Sequence, residues 1–262
     1  MPAVTPARLK REIAALFEVV ADADAFERAL DDLLDRYADR TYRPSQAGVP
    51  GSLLQAYHAA RPVLRAVETG LEAFAADAPE DALTLADRLW EKPLFEPRYL
   101  AARLLAFLPG IPGAEIVARL ERWLPGSEDE TLLAELVRAG LSADEAGLIG
   151  IVEALLEDGA LGYRTALPAL GAVVRMASEE SLPGVYRLFA KALGDPDADR
   201  SARLLNLARG LAERSPVETA YFMRQQFLIS SRPEVGRILR QILPLLPTQL
   251  RADIRRVMRE DQ

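Results

Sequence analysis

The sequence predicts an all-α fold in which antiparallel helix pairs stack into a right-handed superhelix. Apolar residues recur at helical spacing from end to end, and proline, glycine and aspartate interrupt the chain about every 15 residues. No segment alternates apolar and polar residues as a half-buried strand would. Half of the 262 residues are apolar, which is enough material for a large core.

Two amphipathic helices are predicted at the N-terminus. Thr5 and Pro6 form a start signal, an N-cap followed by a proline at the first helical position. Apolar residues then follow at helical spacing from Arg8 to Val20. The second helix is predicted from Asp24 to Arg40, with one apolar face formed by Phe26, Leu30, Leu33, Leu34 and Tyr37.

Self-similarity at a period of about 34 residues predicts the architecture of the rest of the chain. Helices with a polar start and a leucine-rich body are expected to begin near Arg98, Thr131, Arg164, Arg200 and Glu234. A period of this size is typical of stacked helical hairpins, each of which buries its apolar face only against its neighbours. The signature residues of tetratricopeptide and ankyrin repeats are absent, which leaves an irregular HEAT-like array, an α-α solenoid.

We expect a single HEAT-like-repeat domain over residues 1–262, because a repeat array can grow without internal boundaries. Residues 5–51 supply the N-terminal helices and a loop from Thr41 to Gly51, and residues 52–262 supply the stacked helix pairs. Ser52 can cap the first of these helices. Prolines inside helical stretches indicate that the helices are irregular, namely Pro62, Pro168 and Pro244.

Composition argues against several kinds of site. The chain has no cysteine and only one histidine, His58, so zinc, iron–sulfur and haem centres are not expected, and no metal or cofactor is predicted. A histidine-activated nucleophile would need His58, whose neighbours Ala59 and Ala60, on a short helical stretch, give no support for that role. Without a targeting signal or a bilayer-spanning segment, we expect a cytoplasmic protein with no membrane contact.

The net charge of −7 is distributed unevenly. Residues 200–262 contain 12 arginines and six acids, a balance of +6, so the preceding 199 residues carry −13. Charges more than about 10 Å apart are largely screened at cellular salt, so a local basic face can hold phosphate although the whole chain is acidic.

Arginines at helical spacing are the candidate nucleic-acid contacts. Arg251, Arg255 and Arg259 are four residues apart and share one face of the last helix, and Arg237 and Arg240 form a similar pair on the helix before. The planar guanidinium group of arginine suits phosphate oxygens. We include Arg203 among the candidate nucleic-acid contacts. The alternative is that these side chains form the polar outer face that a terminal repeat needs for solubility.

Two stretches resemble the bacterial alkylpurine DNA glycosylases built from HEAT-like repeats, the AlkD-like group of DNA alkylation repair proteins. The first is Ala47–Pro50, which leads into a helix after the two N-terminal helices. The second is Leu89–Ala101, where Trp90, Glu96 and Arg98 follow the family's leucine-tryptophan, turn, glutamate and arginine order. The alternative interpretation is that these side chains pack a corner between two helices and make local polar contacts.

The resemblance implies that catalytic residues lie on the helix Asp129–Ala139, where the family has a tryptophan and, four residues later, an aspartate. A carboxylate there can stabilise the positive charge that builds on the sugar as the glycosidic bond breaks. This helix has no aromatic residue, and the aspartate position falls on Ala134 or Glu135. Glu135 is therefore the candidate in a degenerate signature, and an exposed acidic face at a helix N-terminus is the alternative.

The resemblance also implies an arginine near the start of the next helix, which Arg164 matches. Tyr163 beside it could offer an aromatic face to a cationic alkylated base. Alternatively, Tyr163 packs at a hairpin corner and Arg164 is solvated. Trp123, just before the acidic helix, is expected in the core.

Three functions are compatible with these patterns. The first, which we expect, is a repair-like protein that binds double-stranded DNA and whose excision chemistry is lost or altered. The second is a non-catalytic scaffold that grips a protein partner. The third is an active glycosylase that releases alkylated purines with Glu135 as its carboxylate.

Overall fold

A computed structural model describes residues 5–39, 54–127, 129–194, 198–230 and 232–260. Within these ranges the secondary structure is helical, and the only β-type pairing is a single bridge between Gln55 and Leu94. The all-α prediction is therefore confirmed for the described chain. The predicted loop Thr41–Gly51, with the Ala47–Pro50 stretch and the cap at Ser52, lies outside the described residues.

The described residues form fourteen α-helices in chain order. They are Pro6–Glu18 (α1), Ala23–Arg36 (α2), Arg61–Asp77 (α3), Pro79–Glu91 (α4), Phe95–Leu105 (α5), Gly113–Trp123 (α6), Glu130–Ala143 (α7), Glu145–Glu157 (α8), Gly159–Met176 (α9), Leu182–Leu193 (α10), Ala198–Arg214 (α11), Pro216–Ile229 (α12), Pro233–Ile242 (α13) and Thr248–Glu260 (α14). A short 3₁₀ helix, Leu243–Leu245, lies between α13 and α14. No helix in the described ranges is long and apolar enough to cross a membrane.

The two N-terminal helices begin close to their predicted signals. Pro6 opens α1, and the carboxylate of Asp22 caps α2 by accepting a hydrogen bond of 3.1 Å from the backbone N–H of Ala25. Helix α2 ends at Arg36 rather than at Arg40. Its predicted apolar face is buried, which confirms the core positions Phe26, Leu30, Leu33, Leu34 and Tyr37.

The chain divides into two compact units, residues 1–144 and residues 145–262. In the first unit, helices two apart in sequence pack together: α1 on α3, α3 on α5, and α5 on α7. A second succession runs through α2, α4 and α6. Arg88 of α4 pairs with Glu27 of α2 at 2.5 Å, and Trp90 of α4 stacks on Trp123 of α6 with ring centroids 4.5 Å apart.

The second unit repeats this alternation. Helices α9, α11 and α13 pack in succession and form what we call the odd row, while α8 packs on α10 and α12 packs on α14. Helix α10 joins α12 through a 2.8 Å hydrogen bond between the hydroxyls of Tyr186 and Thr219 and through the stacked rings of Phe189 and Phe222. Helices α8, α10, α12 and α14 therefore form a second succession, the even row.

The residues expected to open repeats lie in the first two turns of every second helix. Arg98 and Thr131 lie in α5 and α7, and Arg164, Arg200 and Glu234 lie in α9, α11 and α13. Each of these helices packs against the next one in the same unit.

The prolines take three different positions. Pro62 lies in the first turn of α3, where a missing N–H costs nothing, and Pro244 lies in the 3₁₀ helix. Only Pro168 is inside a helix, and α9 continues through it to Met176.

The segment that leads into α3 is not helical, so the helical stretch expected at Ala59 and Ala60 is wrong. Helix α3 begins only at Arg61, and His58 has a φ of 55°. The physical reason is a carboxylate from another helix: the oxygens of Glu96 accept the backbone N–H groups of Tyr57 at 3.0 Å and Ala59 at 3.2 Å. Those donors are then not available to a helix.

The stretch that carries the family resemblance forms a packed corner between α4 and α5. Glu96 is 2% exposed, and Arg98 donates from Nε to the carbonyls of Trp90 and Lys92, both at 3.0 Å. The Arg98 guanidinium lies 5.1 Å from the centre of the Trp90 ring, and burial lowers the pKa of Arg98. Phe95 stacks on Tyr99 with ring centroids 5.9 Å apart. These side chains make the local contacts of the alternative interpretation.

Replacing Glu96 with alanine tests whether its hydrogen bonds to the backbone stabilise the segment before α3. Glu96→Ala removes the acceptor from two N–H groups, and we expect the free energy of unfolding to fall by about 2–4 kcal/mol. Urea denaturation monitored by circular dichroism measures the loss. The control, Glu91→Ala, removes an exposed carboxylate at the end of α4 and should change stability by less than about 0.5 kcal/mol. Equal effects of the two substitutions would contradict the assignment.

Candidate functional site

Glu135, the candidate catalytic carboxylate, is buried and paired with two arginines. It is 8% exposed, so an exposed acidic face is the wrong description of this position. Oxygen Oε2 accepts hydrogen bonds from Arg103 Nη1 at 3.1 Å and from Arg138 Nη1 at 2.8 Å. Glu135 is buried because α7 turns it inward together with its neighbours Leu132 and Leu136.

Arg103 lies at the centre of a network that joins three helices. Its Nε is 3.3 Å from Oε2 of Glu68, a charge pairing without hydrogen-bond geometry, and its guanidinium lies 4.8 Å from the centre of the Phe107 ring. The hydroxyl of Tyr99 donates to Glu68 at 3.0 Å. Burial, reinforced by the charge of Glu68, raises the pKa of Tyr99 to about 12.

This arrangement balances the charge of Glu135. Burial alone would lower the pKa of Arg103, but Glu135 and Glu68 outweigh burial and raise it, so Arg103 stays positive between its carboxylates. A carboxylate that stabilises a sugar cation must present net negative charge. At Glu135 two guanidinium groups oppose that charge. The geometry therefore favours a structural tie between α3, α5 and α7.

Tyr163, the candidate aromatic contact, is 8% exposed. The guanidinium carbon of Arg200 lies 4.1 Å from the centre of its ring, so a protein cation already occupies one face. This placement matches the alternative in which Tyr163 packs at a corner. Trp123 is 4% exposed, which confirms the prediction that it belongs to the core.

Helix α9 presents a narrow exposed stripe with an arginine at each end. Between residues 163 and 175 the positions that are not buried are spaced i, i+4, i+7 and i+11, which places them on one face: Arg164, Pro168, Gly171 and Arg175. The sequence prediction included Arg164 but missed Arg175. The eleven-residue interval, three helical turns, is the signal that could have found it.

The other two helices of the odd row also expose arginines. Arg203 and Arg209 are exposed on α11, and Arg237 and Arg240 are exposed on α13. Arg203 Nη1 donates to the carbonyl of Arg164 at 2.8 Å, and Arg209 Nη2 donates to Oε1 of Gln241 at 3.3 Å. These bonds join α9 to α11 and α11 to α13. We call the exposed set the arginine surface: Arg164, Arg175, Arg203, Arg209, Arg237 and Arg240.

Four members of the arginine surface are not neutralised by described carboxylates. No described carboxylate forms an ion pair with Arg203, Arg209, Arg237 or Arg240, and Arg240 Nε donates to the carbonyl of Gly236 at 3.1 Å. By contrast, several arginines of the first unit pair with carboxylates, as Arg119 does with Asp87 at 2.8 Å. Among the described side chains of α9, α11 and α13, Glu213 is the exposed acid. Positive charge therefore remains available to an anionic ligand.

The three C-terminal arginines of the prediction lie apart from this row, on α14, which packs against α12. Arg251 is half-buried and its Nε donates to the carbonyl of Leu246 at 2.6 Å, so it stabilises the turn into α14. Arg259 Nε donates to the carbonyl of Arg255 at 3.3 Å, and both residues are exposed. The structure thus divides the predicted arginines between the odd row and the end of the even row.

Comparisons of the chain with protein-family models, with curated proteins and with solved structures found no match. The fold and the surface define an all-α chain in which alternate helices pack together and one row carries exposed arginines. The likeness to alkylpurine DNA glycosylases rests on the residues quoted above and stays a hypothesis. No group of three metal-ligating side chains occurs among the described residues.

Removing Arg103 tests the buried network. Arg103→Met leaves Glu68 and Glu135 without their shared partner, and we expect a loss of about 3–5 kcal/mol in the free energy of unfolding. The control Arg138→Met removes a half-exposed partner of Glu135 and should cost less than about 1 kcal/mol. Adding Glu68→Gln and Glu135→Gln should restore part of the stability lost with Arg103. A loss that persists unchanged in the neutralised background would contradict the ionic explanation.

Proposed function

We propose that this chain binds double-stranded DNA through the arginine surface of its second unit and does not excise bases. The proposal rests on one observation: α9, α11 and α13 expose arginines that form no ion pair with a described carboxylate, namely Arg175, Arg203, Arg209, Arg237 and Arg240. Arginine forks make bidentate contacts with phosphate oxygens. Contacts of this kind position a protein on a duplex without reading its sequence.

The dimensions of the odd row suit a nucleic-acid backbone. Packed helices lie about 8–10 Å apart, so three of them span roughly 20 Å. One strand of a duplex carries a phosphate about every 3.4 Å along the axis, so roughly six phosphates pass over that distance. The arginine surface offers six side chains for them, and its binding energy should depend strongly on salt.

The proposal includes a right-handed superhelix of HEAT-like helix pairs. It is supported by the alternation in each unit, where helices two apart in sequence pack together. It is also supported by the placement of the expected repeat starts in every second helix from α5 to α13. In repeat arrays, one row of helices forms an extended surface that can follow a polymer.

Loss of excision is the part of the proposal that concerns Glu135. Its charge is opposed by Arg103 and Arg138, and its helix lacks the aromatic residue of the family signature. One face of Tyr163 lies against Arg200, which leaves that face no room for a cationic base. These contacts support binding without catalysis.

Charge reversal on the odd row tests the interface. Arg203→Glu with Arg237→Glu should raise the Kd for a fluorescent duplex of about 20 base pairs at least tenfold. The slope of log Kd against log salt concentration should fall by the equivalent of about two phosphate contacts. Fluorescence anisotropy over a salt series measures both quantities. The matched control, Arg255→Glu with Arg259→Glu, makes the same charge change on α14 and should have a much smaller effect. No binding by the unaltered chain at about 50 mM salt would contradict the proposal.

A second experiment separates binding from excision. Duplex DNA containing an N-methylated purine should bind and lose no base on incubation, because Glu135 has no uncompensated charge. Base release is measured by chromatography of the free base, with the chain carrying Glu135→Gln as the control. Release that Glu135→Gln abolishes would contradict the loss of excision and establish the glycosylase alternative.

A further inference from the structure

Helix α12 exposes an unusual amount of apolar surface. Four of the five large apolar side chains that are exposed among the described residues belong to this one helix: Val217 at 43%, Tyr221 at 58%, Leu228 at 55% and Ile229 at 69%. The opposite face is buried, with Thr219, Ala220 and Met223 in the core. The helix is therefore apolar on both its inner and its outer faces.

Three of the exposed residues form one line with an arginine. Val217, Tyr221, Arg224 and Leu228 are spaced i, i+4, i+7 and i+11, so they follow a single face over about 16 Å. We call these four residues the apolar stripe. Ile229 lies at its flank, next to the C-terminal end of the helix.

An exposed stripe of this kind has a cost in water. Large apolar side chains in contact with water promote association. Contiguous apolar patches on a protein surface mark interaction sites more often than scattered single residues do. The apolar side chains of the stripe share one face of one helix, with Arg224 between Tyr221 and Leu228, so the stripe has the form of an interaction surface.

The charges around the apolar stripe indicate the sign of its partner. Arg224 lies within the stripe and makes no ion pair with any described residue. Helix α14 packs on α12 and exposes Arg255 and Arg259. The one acid of α12, Glu218, accepts a 2.6 Å hydrogen bond from the hydroxyl of Ser215, and this bond lowers the pKa of Glu218. Helix α14 also exposes Asp253, which pairs with Arg256 at 3.2 Å, so the described charges of α12 and α14 sum to a positive value.

We infer that the apolar stripe docks an amphipathic helix of a partner protein whose apolar ridge is flanked by carboxylates. A partner helix of about four turns matches the length of the stripe. Its apolar side chains would cover Val217, Tyr221 and Leu228, and one carboxylate would pair with Arg224. Tyrosine and arginine are the residue types that most often dominate the binding energy of an interface.

A lipid surface fits the same residues less well. Insertion of the apolar stripe into a bilayer would draw the Arg224 guanidinium toward the acyl chains, which is costly without an anionic partner at the same depth. A partner helix can place a carboxylate opposite Arg224. The stripe belongs to the even row, so this inference does not depend on the proposed binding of DNA by the odd row.

A designed peptide tests this inference on the full chain. The probe is a fluorescein-labelled helix of about 18 residues with leucines at i, i+4, i+7 and i+11 and glutamates on both flanks. We expect anisotropy to report a Kd in the micromolar range, and Tyr221→Ser and Leu228→Ser each to raise it about tenfold. The matched control is Leu245→Ser, which removes the remaining exposed large apolar side chain and should leave the Kd unchanged.

A charge swap makes the test specific. Arg224→Glu should weaken binding of the glutamate peptide about tenfold and strengthen binding of a peptide with lysines in place of the glutamates. The inference is overturned if the unaltered chain binds both peptides equally, or if neither Tyr221→Ser nor Leu228→Ser changes the Kd. It is also overturned if the chain binds neither peptide but sediments with vesicles containing about 30% phosphatidylserine. Self-association that Tyr221→Glu abolishes would assign the stripe to a second copy instead.

Discussion

The structure depends on one packing constraint: within each of the two units, helices pack mainly against helices one and two positions away in sequence. The contacts that hold alternate helices together differ from place to place. Trp90 stacks on Trp123 between α4 and α6, whereas a pair of hydroxyls joins α10 to α12. Because packing occurs in rows, residues more than thirty positions apart become neighbours.

The same constraint separates two kinds of arginine. In the first unit Arg103 and Arg119 bridge neighbouring helices through carboxylates, so their positive charge is neutralised within the protein. In the odd row Arg203 and Arg209 also bridge neighbouring helices, but they do so through a carbonyl and an amide oxygen. Neutral acceptors fix the position of a guanidinium and leave its charge in place. This difference, more than the number of arginines, makes the second unit a candidate for phosphate binding.

Local signals were sufficient to predict the two N-terminal helices and part of the core, but not the state of the site residues. The start of α1 at Pro6, the buried face of α2 and the core position of Trp123 all follow from spacing and capping within a few residues. The pairing of Glu135 with Arg103 depends on how α5 packs on α7. The cation–π contact of Arg200 with the Tyr163 ring depends on how α11 packs on α9. Sequence spacing contains no information about such contacts. The alternative that placed Glu135 on an exposed acidic face failed for this reason.

Arginine modification measures the proposed interface most directly. Phenylglyoxal is added to the chain with and without duplex DNA at low salt, and mass spectrometry then gives the extent of reaction at each arginine. DNA binding through the odd row predicts protection of Arg203, Arg209, Arg237 and Arg240, with Arg224 and Arg255 still reactive. Equal reaction of all exposed arginines in the two samples, or protection confined to α14, would contradict the account.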